Sequence, residues 1–170
     1  MSHVTRNTSA WAVCAAILAL CSTGCCMLSP QHGQDIGRIS DPVLFAGATT
    51  SPGQDIVIQG KDPDTKGWVK IKEVHTSGTG TGYTDSEGTT CYRWPAILEH
   101  GYFPIPPEYW KSTKGGPEGT THYAEVRAII AGTDQGLPTV EDGFRYSPFV
   151  SEGSIHGDSV TVYGRVSKGR

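Results

Sequence analysis

Apolar residues in this 170-residue chain fall in short alternating runs that are separated by polar, glycine-rich turns. The clearest run, Tyr123–Ile130, carries small or apolar side chains at its even positions and mostly polar ones between them. Successive side chains of a strand point to opposite faces, so a period of two indicates a half-buried strand. We expect its inward face to consist of Ala124, Val126, Ala128 and Ile130, with Tyr123, Glu125 and Arg127 facing out.

Six further runs rich in Val, Ile, Tyr and Trp have the same character. Together with 121–131 they predict strands at about 43–47, 54–61, 67–76, 90–98, 144–150 and 158–167. No stretch shows a helical period, and 22 glycines and 11 prolines disfavour long helices. Seven short strands with turns between them predict an all-β fold, a single antiparallel β-sandwich over residues 43–170.

The same period assigns faces on the other strands. Ile56 and Ile58 form an inward pair on the first long strand. On the next strand the inward pair is Val69 and Ile71, and the opposite face carries Trp68, Lys70 and Lys72. Near the end of the chain the shared inward face consists of Val160, Val162, Gly164 and Val166.

The first 24 residues differ from the rest. Trp11–Cys21 is an unbroken apolar run, Arg6 precedes it, and no acidic residue occurs before Cys25. At roughly 1.5 Å per residue the run is a helix of about 16 Å, whereas a bilayer core is about 30 Å thick. The pattern predicts a cleaved export signal over 1–24. A buried core helix and an uncleaved anchor are the alternatives.

Thr23, Gly24 and Cys25 resemble the end of the bacterial lipobox, Leu-[Ala/Ser/Thr]-[Gly/Ala]-Cys, with Ser22 in the place of the usual Leu. The resemblance implies cleavage before Cys25 and lipid on its sulfur, a palmitate-bearing anchor outside the cytoplasmic membrane. Cys26 follows rather than Asp, so by the same resemblance the outer membrane is open as a location. Ser22 and Gly24 also suit an ordinary signal peptidase, which would leave a secreted protein.

Residues 25–42 are predicted to be the lipidated cysteine and a polar tether, because Pro30, Gly33, Gly37 and Pro42 interrupt a polar stretch. Without the signal, 13 basic residues stand against 17 acidic ones, a net charge of −4 compared with −3 for the whole chain. There is no basic block, which argues against nucleic-acid binding.

Five cysteines occur, and Cys14 and Cys21 leave with the signal. If Cys25 is lipidated, Cys26 and Cys91 remain, and their spacing leaves open whether they pair. The favoured interpretation of Cys91 is a small buried apolar residue on a strand.

Asp55–Asp64, followed by Gly67 and Val69–Val74, resembles bacterial immunoglobulin-like domains, in which a strand runs into Asp-Pro-Asp-Gly and out into the next strand. Here Thr65 and Lys66 lengthen the turn. Tyr123–Ala128 looks like the late central strand of fibronectin-type sandwiches. The resemblance implies an immunoglobulin-like sandwich with an adhesive or spacer role and no catalysis.

Asp62 and Asp64 are spaced like the opening of a calcium loop, but Lys66 occupies the fifth position, so a turn is favoured. None of the histidines after the signal lies two residues from another, so no strand offers a two-histidine metal face. No metal, cofactor or catalytic residue is therefore predicted. Ser154 and His156 are the residue types of a hydrolase site, but the favoured interpretation of this pair is a turn.

Aromatic residues gather in the middle third, above all in Tyr102–Trp110, where three prolines favour an extended course. Trp94, Phe103 and Trp110 are expected to fill the core. Trp68 and Tyr109 are expected to be exposed. The candidate ligand-binding rings, which could stack on sugars or grip a proline-rich peptide, are Trp68, Tyr109 and Trp110.

The sequence thus predicts an exported, lipid-anchored envelope protein with a non-catalytic, immunoglobulin-like binding or accessory module. Its partners would be the membrane, through the lipid on Cys25, and a protein or glycan ligand. A carbohydrate-binding module that uses exposed aromatics is the alternative. A small envelope hydrolase is the third.

Overall fold

The computed structural model describes residues 25–76, 82–84, 90–95, 97–141 and 154–166. Regular structure in these ranges is β, apart from two 3₁₀ turns at Leu98–Gly101 and Pro107–Tyr109. The predicted all-β class is therefore confirmed. The strand predicted at 144–150 lies outside the described residues.

Fourteen strands are described, most of them shorter than the predicted runs. In chain order they are β1 Cys26–Ser29, β2 Asp35–Arg38, β3 Val43–Leu44, β4 Ala46–Thr49, β5 Asp55–Lys61, β6 Trp68–His75, β7 Gly82–Thr84, β8 Thr90–Trp94, β9 Tyr102–Phe103, β10 Lys111–Ser112, β11 His122–Ile130, β12 Thr139–Glu141, β13 Ser154–His156 and β14 Val160–Arg165.

These strands form two main sheets. The first has the order β13-β12-β1-β4-β8-β7, the second has the order β2-β14-β11-β5-β6 with β10 also on β11, and β3 pairs with β9 separately. Most pairs are antiparallel, but β1 with β12 and β14 with β2 are parallel. The sheets are therefore mixed, and the prediction of a purely antiparallel arrangement is wrong at these two pairs.

One hydrophobic core joins the two sheets and makes the fold sandwich-like. Met27 and Trp94 come from the first sheet, and Ile58, Val126 and Val162 come from the second; each of them is at most 1% exposed. Burying side chains of this size stabilises the fold by about 1.5–3 kcal/mol each relative to leaving them exposed. The predicted inward faces of β5, β11 and β14 lie in this core, except Val166, which is 50% exposed just beyond the end of β14.

A β-bulge in β6 changes the predicted faces of that strand. Gln59 pairs with Lys70 and its neighbour Ile58 pairs with Lys72, so Ile71 is an extra residue. The alternation therefore shifts by one, and the ammonium of Lys72 lies on the core side, 4.6 Å from the centre of the Phe103 ring. Val69 is 42% exposed. The prediction that Lys72 faces out is wrong for this reason. Val69 pairs with Gly60 on the core side, the predicted face, but is exposed there.

Residues 25–42 are not a tether. Strand β1 lies inside the first sheet, where Cys26 pairs with Ala48 and the side chain of Met27 is completely buried. Strand β2 extends the second sheet, and Ile36 and Ile39 pack against the core. The domain predicted to start at residue 43 therefore already includes the residues from 25 onward. A strand of four residues is too short to show a period, so the prolines and glycines around it dominated the pattern.

Replacing Met27 by Ala tests this placement. We expect a loss of about 2–5 kcal/mol in the free energy of unfolding, because the change empties a fully buried site. The matched control is Ser40→Ala, an exposed position in the same predicted tether. Chemical denaturation of both variants measures the difference, and equal stability of the two would contradict the placement of β1.

Candidate functional site

The three rings predicted to bind ligand have different surroundings. Trp110 is 8% exposed, and its indole N–H donates to the carbonyl oxygen of Ile105 at 3.2 Å. Tyr109 is 7% exposed and packs over Gly60, where a Cβ would lie only 2.7 Å from the ring. Trp68 is half-buried on the outer side of the second sheet.

The expectation that Tyr109 is exposed is therefore wrong, whereas the core placement of Trp94, Phe103 and Trp110 is confirmed. The proline-rich segment runs along the edge of the core, and Ile105 points inward with these rings. Burial raises the pKa of the Tyr109 hydroxyl, and the negative charges of Glu108 and Asp62 raise it further. Neither Tyr109 nor Trp110 presents a bare ring face to a ligand.

Trp68 takes part in a network of charged groups on the outer face of the second sheet. The Arg127 guanidinium lies 4.5 Å from the centre of the Trp68 ring, and its Nε–H donates to Oε1 of Gln59 at 2.8 Å. Lys61 Nζ is 5.7 Å from the same ring and 2.6 Å from Oε2 of Glu125. The partners come from β5, β6 and β11, so the network depends on the register of three strands.

This network holds its cations in fixed positions. Arg127 is only 8% exposed, so its stacking on Trp68 and its bond to Gln59 act with little competition from water. A cation over an aromatic face is worth about 0.5–1 kcal/mol when exposed and about 2 kcal/mol when desolvated. The Lys61–Glu125 pair is more exposed, at 30% and 26%, and contributes less.

Two tyrosines continue the same face. Tyr123 on β11 pairs with Tyr163 on β14, with ring centres 6.5 Å apart and planes tilted by 42°. Lys111 Nζ lies 5.6 Å from the centre of the Tyr123 ring. We call this surface the ring face and define it by Trp68, Tyr123, Tyr163, Arg127, Gln59, Lys61 and Glu125. Period-two alternation predicted the outward direction of Tyr123, Glu125 and Arg127 but not their contacts, which depend on strand register.

A cleft of ≈ 420 Å³ opens where β1, β4 and β8 meet. Its apolar wall consists of Leu28, Leu44, Ala46, Trp94 and Pro95, and its polar side consists of Ser29, Gln31, Gln34 and Arg93. The Trp94 indole lies against Gly47, and its buried N–H has no acceptor among the described residues. No pattern in the sequence indicated this cleft, because its walls come from separate segments.

The Asp62–Asp64 segment forms the predicted turn. Oδ1 of Asp62 accepts the backbone N–H groups of Asp64 at 2.8 Å and Thr65 at 3.1 Å, and Asp62 N–H donates to the Gly67 carbonyl at 2.8 Å. These hydrogen bonds lower the pKa of the Asp62 carboxyl, because they favour its charged form. Lys66 takes a positive φ of 61°, which completes the lengthened turn.

Other predicted chemistry is dispersed over the fold. The His75 ring contacts the Asp55 carboxylate, and His122 contacts Thr121 and Ser112. Among the described residues, no group of three or more His, Cys, Asp or Glu side chains could hold a metal ion. The backbone of Ser154–His156 forms β13, and the side chains of the hydrolase pair lie outside what the structure describes.

Cys25, the predicted lipid site, is the first described residue. It is half-buried, packs against the core, and its Sγ lies 3.7 Å from Oγ1 of Thr50. Cys91 lies on β8 and is 4% exposed, as predicted, and Cys25, Cys26 and Cys91 form no disulfide bond. Within the described ranges, no helix is long and apolar enough to cross a bilayer.

No protein-family model, curated protein or solved structure matches this chain.

Gly47→Ala tests the packing below the cleft. A Cβ at this position would overlap the indole of Trp94 and the carbonyl oxygen of Cys26, so we expect a loss of about 1–3 kcal/mol in stability. Gly157→Ala is the control, because a Cβ there has nothing within 4 Å. Thermal unfolding compares the two. A Gly47→Ala protein that melts with the wild type would show that Trp94 does not lie against Gly47.

Proposed function

We propose that this chain is an exported, lipid-anchored envelope protein whose single immunoglobulin-like sandwich binds a protein partner without catalysing a reaction. The export signal and the lipobox-like Thr23-Gly24-Cys25 support the location. The two sheets around one core, and the Asp62–Gly67 hairpin between β5 and β6, support the immunoglobulin-like assignment.

The ring face is the observation that carries the binding function. Trp, Tyr and Arg are the residue types most enriched among side chains that dominate binding energy at protein interfaces. Trp68 and Arg127 are already stacked, so little side-chain entropy remains to be lost on association. Lys61 and Glu125 add charges of both signs beside them, which favours a polar partner with complementary charges.

The cations over the rings favour a protein partner over a sugar. Stacking on a sugar requires a bare ring face, but Arg127 covers a face of Trp68 and Lys111 lies over Tyr123. Carbohydrate binding is the second candidate, because Tyr123 and Tyr163 form an adjacent ring pair with the carboxylate of Glu125 on the same strand face. In that case Lys111 has to move away from its ring.

Trp68→Ala tests the ring face. The protein starting at residue 25 is titrated onto an isolated envelope fraction, and we expect this variant to weaken binding about tenfold or more, as for an interface hot spot. Val69→Ala is the control, since Val69 is exposed on the opposite side of the same strand. Protease treatment of the fraction should abolish binding, whereas periodate should leave it unchanged. Loss with periodate alone would indicate a glycan, and equal binding by both variants would contradict the site.

Labelled palmitate tests the anchor. In a bacterial host, we expect the label to enter the wild-type chain and to be absent from Cys25→Ser, because the thioether forms on the Cys25 sulfur. Cys26→Ser should remain labelled and serves as the control for a neighbouring thiol. An unlabelled wild type would mean that the protein is secreted without lipid.

A further inference from the structure

We infer that the folded domain rests directly on the lipid surface, on the end of the sandwich where β1 begins. This inference rests on the proposed lipidation of Cys25. The partner is a layer of lipid head groups. The contact surface, which we call the anchor end, consists of Cys25, the β4–β5 turn at residues 50–54 and the turn after β11 at residues 131–135.

The chain leaves no spacer between the lipid-bearing sulfur and the fold. Cys25 packs against the core, Cys26 pairs with Ala48 in the sheet, and Met27 is completely buried. A tether of residues 25–42 could have reached roughly 60 Å, at about 3.3–3.6 Å per residue. Because these residues are folded instead, the glycerol attached to Sγ can extend only a short distance beyond the protein surface.

Strand pairing determines which surface lies beside Cys25. Strand β4 runs antiparallel to β1 and ends at Thr49, and Thr50 contacts the sulfur of Cys25. The chain then turns through exposed Ser51, Pro52 and Gly53 into β5. Strand β11 ends at the same place, where the Ala131 N–H donates to the Asp55 carbonyl. Both turns therefore surround the point at which the lipid leaves the protein.

The charges at this end oppose a purely electrostatic attachment. Asp134 and Asp158 are acidic and Asp55 contacts His75, and the one described cation in the row of Cys26 is Arg93, which pairs with Ala48. Lysines lie at the opposite end, at Lys61, Lys66 and Lys111. Attraction to anionic head groups would bring the lysine end to the membrane, so the anchor end can face the lipid only because the covalent lipid holds it there.

This orientation places most of the cleft at the strand ends away from the membrane. Ser29, Ala46 and Trp94 line the cleft, and they lie at the end of β1, the start of β4 and the end of β8. Cys25 is at the opposite end of these strands. The cleft therefore lies at the end of these strands that is farther from the lipid.

Paramagnetic relaxation in nanodiscs tests this orientation. The lipidated chain is placed in neutral phosphatidylcholine nanodiscs that carry a gadolinium chelate on some head groups. We expect the relaxation enhancement of the Gly53 amide to exceed that of Gly67 by more than about tenfold, because β5 alone separates them by roughly 20 Å. The relaxation enhancement of an amide depends on the inverse sixth power of its distance from the gadolinium ion.

The control carries a ten-residue Gly-Ser spacer between Cys25 and Cys26, which adds a mean reach of about 17–19 Å. We expect its Gly53 enhancement to fall several-fold while labelled palmitate still enters. Equal enhancement at Gly53 and Gly67, or a larger value at Gly67, would overturn the orientation with lipidation intact. A wild-type chain that incorporates no palmitate would instead contradict the proposed lipidation of Cys25, and with it the contact between the anchor end and the membrane.

Discussion

The fold depends on the burial of Met27 within the four-residue strand β1. Met27 fills the core between the two sheets, and its backbone N–H donates to the Pro138 carbonyl at 2.9 Å. Strand β1 pairs with β4 on one side and with β12 on the other, so it joins the β12–β13 pair to the rest of the first sheet. The residues that follow the predicted cleavage site thus complete the sandwich.

The burial of β1 also fixes the position of Cys25 relative to the two sheets. A lipid on Cys25 would be attached one residue before the core strand β1, so that the position of the lipid would determine the orientation of the sheets. The ring face belongs to the second sheet and the cleft to the first, on strands that share the same core. Strand register therefore determines where each surface lies relative to Cys25.

Periodicity predicted the parts of the fold in which one strand carries its own signal. Strands β5, β11 and β14 have six to nine residues, enough for a period of two to identify their buried faces. Strands β1 and β2 have four residues each, which is too few. The bulge at Ile71 also escaped prediction, because it is a property of the pairing between β5 and β6 rather than of either strand alone.

The candidate site was also predicted only in part. Alternation placed Trp68 and Arg127 on outward faces, but their stacking requires Gln59 on the strand between them. Tyr109 looked exposed because it lies in a proline-rich segment, whereas the absence of a side chain at Gly60 makes room for its ring. Contacts of this kind join residues that are distant in sequence, and a pattern along one segment does not contain them.

Hydrogen exchange at the Met27 amide tests the central claim most directly. If β1 is part of the core sheet, this amide exchanges as slowly as the amides of β11, because opening it requires the sheet to unfold. Exchange at the rate of an unstructured peptide would show that the residues after Cys25 form a free tether. In that case β1 would not belong to the fold, and the anchor end would not lie against the membrane.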